Sequence, residues 1–178
     1  DALTTGICNV AIGAAALSVS TTGCLNIAIG DNAIGAADTT GINNIAIGQT
    51  AMDALTTGKW NIAIGLDAYG AATTGCENIA IGKTAMGAGV TTGYDNTAIG
   101  RKAADALTTG QYNVAMGKDA LGASTTGCFN IALGAVALGA GVTTGNDNVA
   151  IGQNTMDALT SGACNVAIGS VALGQATT

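Results

Sequence analysis

Few side chains in this sequence could do chemistry, and they are spread along the chain rather than grouped. The 178 residues include five cysteines and no histidine, and no Cys-x-x-Cys pair is present, so the spacing of a zinc site is missing. Carboxylates such as Asp31, Asp67 and Asp119 fall in short variable segments, where they do not converge as the carboxylate pair of a glycosidase must. We therefore expect no enzyme activity, no metal site and no cofactor.

The cysteines are candidates for links between chains. An odd number of exposed thiols indicates disulfides between chains in an oxidising space, or simply small residues that these positions tolerate. Within one chain, Cys8 and Cys24 are the only pair that adjacent repeats would bring close enough to bridge. The candidate inter-chain thiols are Cys8, Cys24, Cys76, Cys128 and Cys164.

A repeat that fills the chain must position all of these residues. The unit T-T-G-x-x-N-[IV]-A-I-G-x-x-A-[LM]-G-A occurs in ten copies, with minor variations, at steps of 17 or 18 residues of which three always sum to 52. Fixed periods of this size are typical of solenoids. A turn of 52 residues would enclose a space that Ile, Ala and Gly cannot fill to protein density, so one unit is predicted to form one coil.

The repeat predicts an all-β fold, a parallel β-solenoid or β-roll of about ten coils of 17 or 18 residues, with a 52-residue super-repeat of three coils. Equivalent residues in successive coils would lie about 4.8 Å apart, which is the strand spacing of a parallel sheet. We expect residues 1–178 to form a single uncapped array that is part of a longer fibre. Uncapped coils leave strand edges unpaired, which favours end-to-end stacking.

Alternation along the strand predicts which side chains are buried. In segment 26–30, Asn-Ile-Ala-Ile-Gly, the two isoleucines lie on one face and the alanine on the other. We expect the isoleucine face to be the core, because β-branched residues suit a packed, pleated surface. The asparagine is expected to form a hydrogen-bonded ladder along the axis, and the later A-[LM] pair a second short strand.

The strand alanine never varies, although this interpretation turns it away from the core. Close approach of the same column on a neighbouring chain would explain its invariance, and a narrow second compartment within the same coil is the alternative. The candidate chain-chain interface consists of Ala11, Ala28, Ala46, Ala63, Ala80, Ala98, Ala115, Ala132, Ala150 and Ala167.

The two residues after Thr-Thr-Gly vary most, and they include all five cysteines, the only Trp and the only Phe. Variation within a uniform repeat indicates exposure. The aromatic members, Trp60, Tyr94, Tyr112 and Phe129, are therefore a candidate recognition stripe for a cell-surface glycan or protein. Contacts with neighbouring chains, or tolerance of any residue, explain the same pattern.

Composition excludes several functions. A net charge of −6 argues against nucleic-acid binding, which requires a basic stripe. The apolar stretches are interrupted every few residues, so none can span a bilayer. Adjacent threonines of Thr-Thr-Gly point to opposite faces, which predicts a hydroxyl ladder at a corner and one outward threonine per coil.

The Asn-[IV]-Ala-Ile-Gly-x-x-Ala core resembles the head repeats of trimeric autotransporter adhesins. The longer T-T-G-x-x-N-x-A-I-G-x-x-A-L form is similar to arrays in phage tail-fibre and related proteins. The match covers nearly the whole chain. The resemblance implies a left-handed parallel β-roll, three chains side by side, and a surface used for adhesion.

These observations predict a structural and adhesive fibre segment. It would be a homo-oligomer, a trimer by resemblance, located outside the cell, at a cell surface or on a virion appendage. One alternative is the protomer of an extracellular filament that grows by end-to-end stacking. Another is an ice-binding solenoid, which the single outward threonine of each coil disfavours.

Overall fold

The computed structural model describes residues 4–141 and 143–177, so residues 1–3, 142 and 178 of the predicted array lie outside the described residues. Ten short strands of the described part form one parallel sheet in chain order. Each strand pairs in register with its equivalent one repeat later, as Ala28 pairs with Ala46. One repeat is therefore one coil, and the predicted β-solenoid is confirmed. The strands are β1 Val10–Ile12, β2 Ile27–Ile29, β3 Ile45–Ile47, β4 Ile62–Ile64, β5 Ile79–Ile81, β6 Thr97–Ile99, β7 Val114–Met116, β8 Ile131–Leu133, β9 Val149–Ile151 and β10 Val166–Ile168.

The strands face the opposite way from our expectation. Their central alanine points into the coil and is buried in β2 to β10, with 0% of Ala80 and 5% of Ala167 exposed; only Ala11 of β1 is exposed. The flanking residues lie outside, and 37% of Ile64 is exposed. The predicted isoleucine core and the predicted alanine interface between chains are therefore wrong. The alternative, in which the alanine faces a compartment of its own coil, is closer to the structure, although that compartment is the main core.

The core is filled mainly by a column of large apolar residues, with Ala104 in the coil of β6, which explains why the strand contributes only alanine. These residues have φ between 49° and 55°, a left-handed conformation that does not occur in strands. The predicted second strand is therefore wrong. Because the chain turns sharply at these residues, little space remains between them and the strand. The buried members of the column are Leu17, Ile34, Met52, Tyr69, Met86, Leu121, Leu138 and Met156.

A buried asparagine ladder joins the coils where the strands begin. The backbone N–H and Nδ2 of Asn44 both donate to Oδ1 of Asn26, at 2.9 and 3.1 Å. Nδ2 of Asn44 also donates to the Gly58 carbonyl of the next coil, at 2.9 Å. Because the same bonds recur from coil to coil, each buried amide is satisfied by both neighbours. The predicted ladder is confirmed.

The glycine after each strand is required by the close approach of two backbones. Gly30 has a φ of +135°, and a Cβ atom at this residue would lie 2.5 Å from the Gly48 carbonyl oxygen. A side chain would therefore both strain the backbone and separate neighbouring coils.

The 52-residue super-repeat reflects an alternation of side chains in the core. One buried position near each Thr-Thr-Gly corner is occupied by a small residue in one coil, by threonine in the next and by leucine in the third. The Ser20 hydroxyl donates to the Thr39 carbonyl at 2.8 Å, and the Thr39 hydroxyl donates to the Leu55 carbonyl at 2.6 Å. Three neighbouring coils thus have different interior shapes. The position is occupied by Ser20, Thr39, Leu55, Ala72, Thr91, Leu107, Ser124, Thr143 and Leu159.

One coil departs from this alternation and compensates for it. It has Ala72 where the equivalent coils have Ser20 and Ser124, and Tyr69 where they have leucine. The Tyr69 hydroxyl accepts a hydrogen bond from Nδ2 of Asn78 at 2.7 Å, and burial raises the pKa of this phenol. The tyrosine hydroxyl thus lies beside Gly75, as the Ser20 hydroxyl lies beside the equivalent glycine.

Two adjacent asparagines allow a matched test of the ladder. Asn44→Asp removes the buried Nδ2 donor and places a carboxylate beside Oδ1 of Asn26, so we expect a loss of about 3 kcal/mol or more in the free energy of unfolding. Asn43→Asp, at a half-buried position that is aspartate in other coils, should cost less than about 1 kcal/mol. Urea denaturation followed by circular dichroism measures both, and equal losses would contradict the role of the ladder.

Candidate functional site

The outward side chains of the ten strands form a continuous strip, here called the apolar face. Its two columns contain no charged residue, and Thr97 is their only polar member. Its central part is accessible, since 43% of Met116 and 37% of Ile131 are exposed. The apolar face consists of Val10, Ile12, Ile27, Ile29, Ile45, Ile47, Ile62, Ile64, Ile79, Ile81, Thr97, Ile99, Val114, Met116, Ile131, Leu133, Val149, Ile151, Val166 and Ile168.

The apolar face is large for a chain of this size. Nine steps of about 4.8 Å make it about 43 Å long, and two columns of side chains make it about 10 Å wide. It thus covers on the order of 400 Å², the size of the largest exposed apolar patch on a typical monomeric protein, which is often functional.

Variable residues border the apolar face on both sides. The leading rim, two residues before each strand, has φ between 56° and 60°, and its N–H groups bind the previous coil, as Trp60 binds the Ile42 carbonyl at 3.2 Å. The leading rim consists of Cys8, Leu25, Asn43, Trp60, Glu77, Asp95, Tyr112, Phe129, Asp147 and Cys164. The trailing rim, two residues after each strand, consists of Ala14, Asp31, Gln49, Leu66, Lys83, Arg101, Lys118, Ala135, Gln153 and Ser170.

The predicted recognition stripe is brought together in part. Tyr94 and Tyr112 meet edge to face with centroids 5.3 Å apart, and Tyr112 stacks on Phe129 at 4.8 Å. Trp60 is 52% exposed and is separated from this cluster by the coil of Glu77. Because Tyr112 and Phe129 cover each other's faces, the cluster presents mainly ring edges to solvent.

Neighbouring groups perturb the exposed tyrosine of this cluster. The Tyr94 hydroxyl is the main cause of a raised pKa at Tyr112, and the carboxylates of Asp95 and Glu77 raise it further by opposing the phenolate charge.

All five cysteines are free thiols. Cys8 and Cys24, the one pair that the sequence placed close enough to bridge, are not joined, because the two residues belong to different columns. Sγ of Cys24 accepts the N–H of Ile7 at 3.5 Å, while Cys8 stacks with the leading-rim residue of the next coil. Cys8 and Cys164 are exposed and the other three are half-buried, so disulfides between chains stay a prediction.

The Thr-Thr-Gly corner carries the predicted hydroxyl ladder. In most coils the first threonine donates to a carbonyl of the next coil, as Thr56 donates to Thr73 at 3.0 Å and Thr108 to Thr125 at 2.9 Å. Thr21 donates instead to the Asp38 carboxylate at 2.8 Å. The second threonine, such as Thr57, is exposed. One outward threonine per coil is therefore confirmed.

A polar groove follows the super-repeat on another side of the solenoid. Asp53, Asp67 and Lys102 line a cavity of about 400 Å³. Asp105 and Asp119, each 52 positions after one of these aspartates, line a second cavity of about 230 Å³. Thr50 donates to Asp67, and Oδ1 of Asp53 is buried without a partner among the described residues. Within residues 4–141 and 143–177, no group of three or more His, Cys, Asp or Glu could hold a metal ion.

No protein-family model, curated protein or solved structure matches the chain. The resemblance to adhesin heads and tail-fibre arrays, and the handedness and trimer it implies, therefore stay predictions. In the described part of the chain, no helix is long and apolar enough to cross a membrane.

Sequence reasoning missed the apolar face, although a signal for it was present. The invariant Asn, Ala and Gly of the strand segment alternate with the variable positions, so they share one face. Asparagine stacked into a ladder must be shielded from water to remain ordered, which places that face inside. The residues between them, which include Thr97 and Met116, tolerate variation because they lie outside.

The raised pKa of Tyr112 provides a test of the aromatic cluster. In a Tyr69→Phe background, we expect the Tyr112 phenol to ionise above its ordinary value of about 10, because the Tyr94 hydroxyl raises its pKa. Adding Tyr94→Phe removes the main cause, so the remaining phenol should titrate closer to that value. Absorbance at alkaline pH measures the phenolate. An unchanged Tyr112 titration in the double variant would show that the two rings do not interact.

Proposed function

We propose that this chain is a segment of a structural and adhesive fibre outside the cell, in which copies pack side by side through their apolar faces. The observation that carries the proposal is the apolar face, which has Thr97 as its only polar member and runs along a hydrogen-bonded, in-register stack of coils. Repetition determines the length and stiffness of such a rod. Pairing of the apolar faces supplies the lateral cohesion that a fibre needs.

The area of the apolar face supports a partner of similar length. Two faces of about 400 Å² with their rims would bury on the order of 1,000 Å² in total, which reaches the lower limit for a specific protein-protein interface. A small globular partner would cover only a part of the 43 Å strip, whereas another rod covers all of it.

The chemistry of the apolar face supports a second copy of this chain as that partner. Its β-branched side chains recur every coil at the spacing of a parallel sheet. An identical face has the same spacing, so ridges and grooves match along the full length. The absence of charge in its two columns means that pairing leaves no buried charge without a partner.

The aromatic residues of the leading rim suit the adhesive part of the proposal. In packed copies they would lie at the outer edge of each interface, where rim residues stay accessible to solvent. A cell-surface glycan or protein would then bind along the seam between two copies. Trp60 and Phe129, at 52% and 53% exposed, are the side chains most available to such a partner.

Substitutions on the apolar face test lateral packing. Ile64→Asp combined with Met116→Asp places two carboxylates in the centre of the strip, and we expect association to weaken at least tenfold while the coils stay folded, because both side chains point outward. Sedimentation velocity over a concentration series measures the association. Circular dichroism reports the fold.

Two matched variants complete this test. Val90→Asp changes a residue that is 55% exposed and lies outside the strands, so association should be unchanged. Ala80→Asp places a carboxylate in the core and should unfold the coils around it. A wild-type chain that stays monomeric at high concentration would refute side-by-side packing.

Adhesion is tested separately on the assembled protein. We expect Trp60→Ser with Phe129→Ser to reduce binding to a glycan array or to immobilised cell-surface proteins at least tenfold, because an exposed aromatic side chain supplies most of the contact area. Val90→Ser is the control for loss of an exposed apolar residue elsewhere. If the Trp60→Ser, Phe129→Ser variant binds as well as the wild-type protein, the leading rim is not the adhesive surface.

A further inference from the structure

The two rims of the apolar face carry opposite charges in the middle of the rod. On the leading rim, Glu77 and Asp95 occupy successive coils, and on the trailing rim Lys83 and Arg101 occupy the same two coils. Lys83, Arg101 and Glu77 are exposed, and Asp95 is half-buried. In these two coils, the apolar face is therefore bordered by acidic side chains on one side and by basic side chains on the other.

Within residues 4–141 and 143–177, none of these four charged groups forms an ion pair. The ion pairs among the described residues join Lys102 to Asp105 at 3.8 Å and Lys118 to Asp119 at 3.0 Å. The carboxylates of the leading rim and the cations of the trailing rim are separated by the width of the apolar face. They are thus available to a neighbouring molecule.

The orientation of two packed copies determines which rims meet. If the two rods point the same way, a two-fold rotation about an axis parallel to them brings the leading rim of each copy against the trailing rim of the other. If the rods point in opposite ways, the axis is perpendicular to them, and each rim meets its own equivalent. Only the first arrangement brings acid against base.

We propose that copies of this chain pack parallel and in register, with Glu77 beside Lys83 of the neighbouring copy and Asp95 beside Arg101 of the neighbouring copy. This inference rests on the proposed side-by-side packing and adds its orientation and register. A parallel shift of one coil places Glu77 beside Arg101 and Asp95 beside Lys118 at one seam. At the other seam it leaves only Asp95 beside Lys83, so three acid-base contacts remain in place of four. Full antiparallel overlap places Glu77 opposite Asp95 and Lys83 opposite Arg101, which is unfavourable.

The apolar face alone does not select among these arrangements. Its side chains repeat every coil, so a shift of about 4.8 Å replaces one isoleucine contact by an equivalent one. Charges on the rim of an interface add little affinity but discriminate strongly between partners and registers. The charged coils thus supply the specificity that a uniform apolar surface lacks.

Cross-linking between single cysteines tests the arrangement. The five native cysteines are replaced by serine, and Glu77→Cys, Lys83→Cys, Asp95→Cys and Ala135→Cys are introduced one at a time. Pairs of variants are dissociated, mixed, reassembled and treated with a short bis-maleimide. We expect a cross-linked dimer from the mixture of the Glu77 and Lys83 variants, and none from mixtures of the Glu77 variant with the Asp95 or Ala135 variant.

Each other outcome overturns the inference in a recognisable way. Cross-linking of the Glu77 variant with the Asp95 variant would indicate antiparallel copies. Cross-linking of the Glu77 variant with the Ala135 variant would indicate parallel copies that are shifted by three coils. No cross-link in any mixture, while sedimentation shows association, would indicate a different interface. If sedimentation shows only monomers, the proposed side-by-side packing itself fails, so the two failures are distinguishable.

Charge reversal gives a second readout. At low salt, Glu77→Lys with Asp95→Lys should weaken association at least tenfold, because both rims then carry positive charge. Adding Lys83→Glu and Arg101→Glu to the same chain exchanges the charges of the two rims and should restore association. Antiparallel copies would respond differently, because like charges already face each other in that arrangement. Replacing Glu77 and Asp95 by lysine would then leave association almost unaltered.

Discussion

Hydrogen bonding between successive coils is the constraint on which the rest of this structure depends. Backbone N–H and carbonyl groups along the strand, at the left-handed residues and at the Thr-Thr-Gly corner bind the coils above and below. Since an unpaired buried group is costly, every coil must follow nearly the same path as its neighbours. The invariant Asn and Gly columns are a direct result, because each makes or permits a contact between the backbones of two coils.

The period of the repeat and the alternation of side chains along the strand differ in how much of the structure they predict. The steps of 17 and 18 residues were sufficient to predict the coil, the parallel register and the asparagine ladder, because these features depend only on bringing equivalent residues together. Which face of the strand is buried could not be read from alternation alone. It depends on the width of the coil, which is determined by left-handed residues such as Met52 and Tyr69 that propensity does not predict. The variable rims were recognised as exposed, but their position beside an apolar strip became visible only when that strip was found outside.

The residues that stabilise the coil and those of the proposed contact between copies are thus different. The interior uses alanine, large apolar residues and amide ladders, and it leaves the β-branched residues for the surface. A substitution between the invariant positions is therefore expected to affect the proposed contact more than the folding of the coil. The same separation explains why sequence variation is concentrated in the rims, where charge and aromatic character can change without disturbing the coil.

The alternation of small, threonine and leucine residues in the core has a consequence for how such a chain can change in evolution. Removing or adding a single coil would bring two interiors of unsuitable shape into contact, for example two leucine coils. Removing or adding three coils restores the original neighbours on both sides. Recombination between repeats is therefore tolerated in units of 52 residues, and the length of the rod is adjusted in increments of about 14 Å.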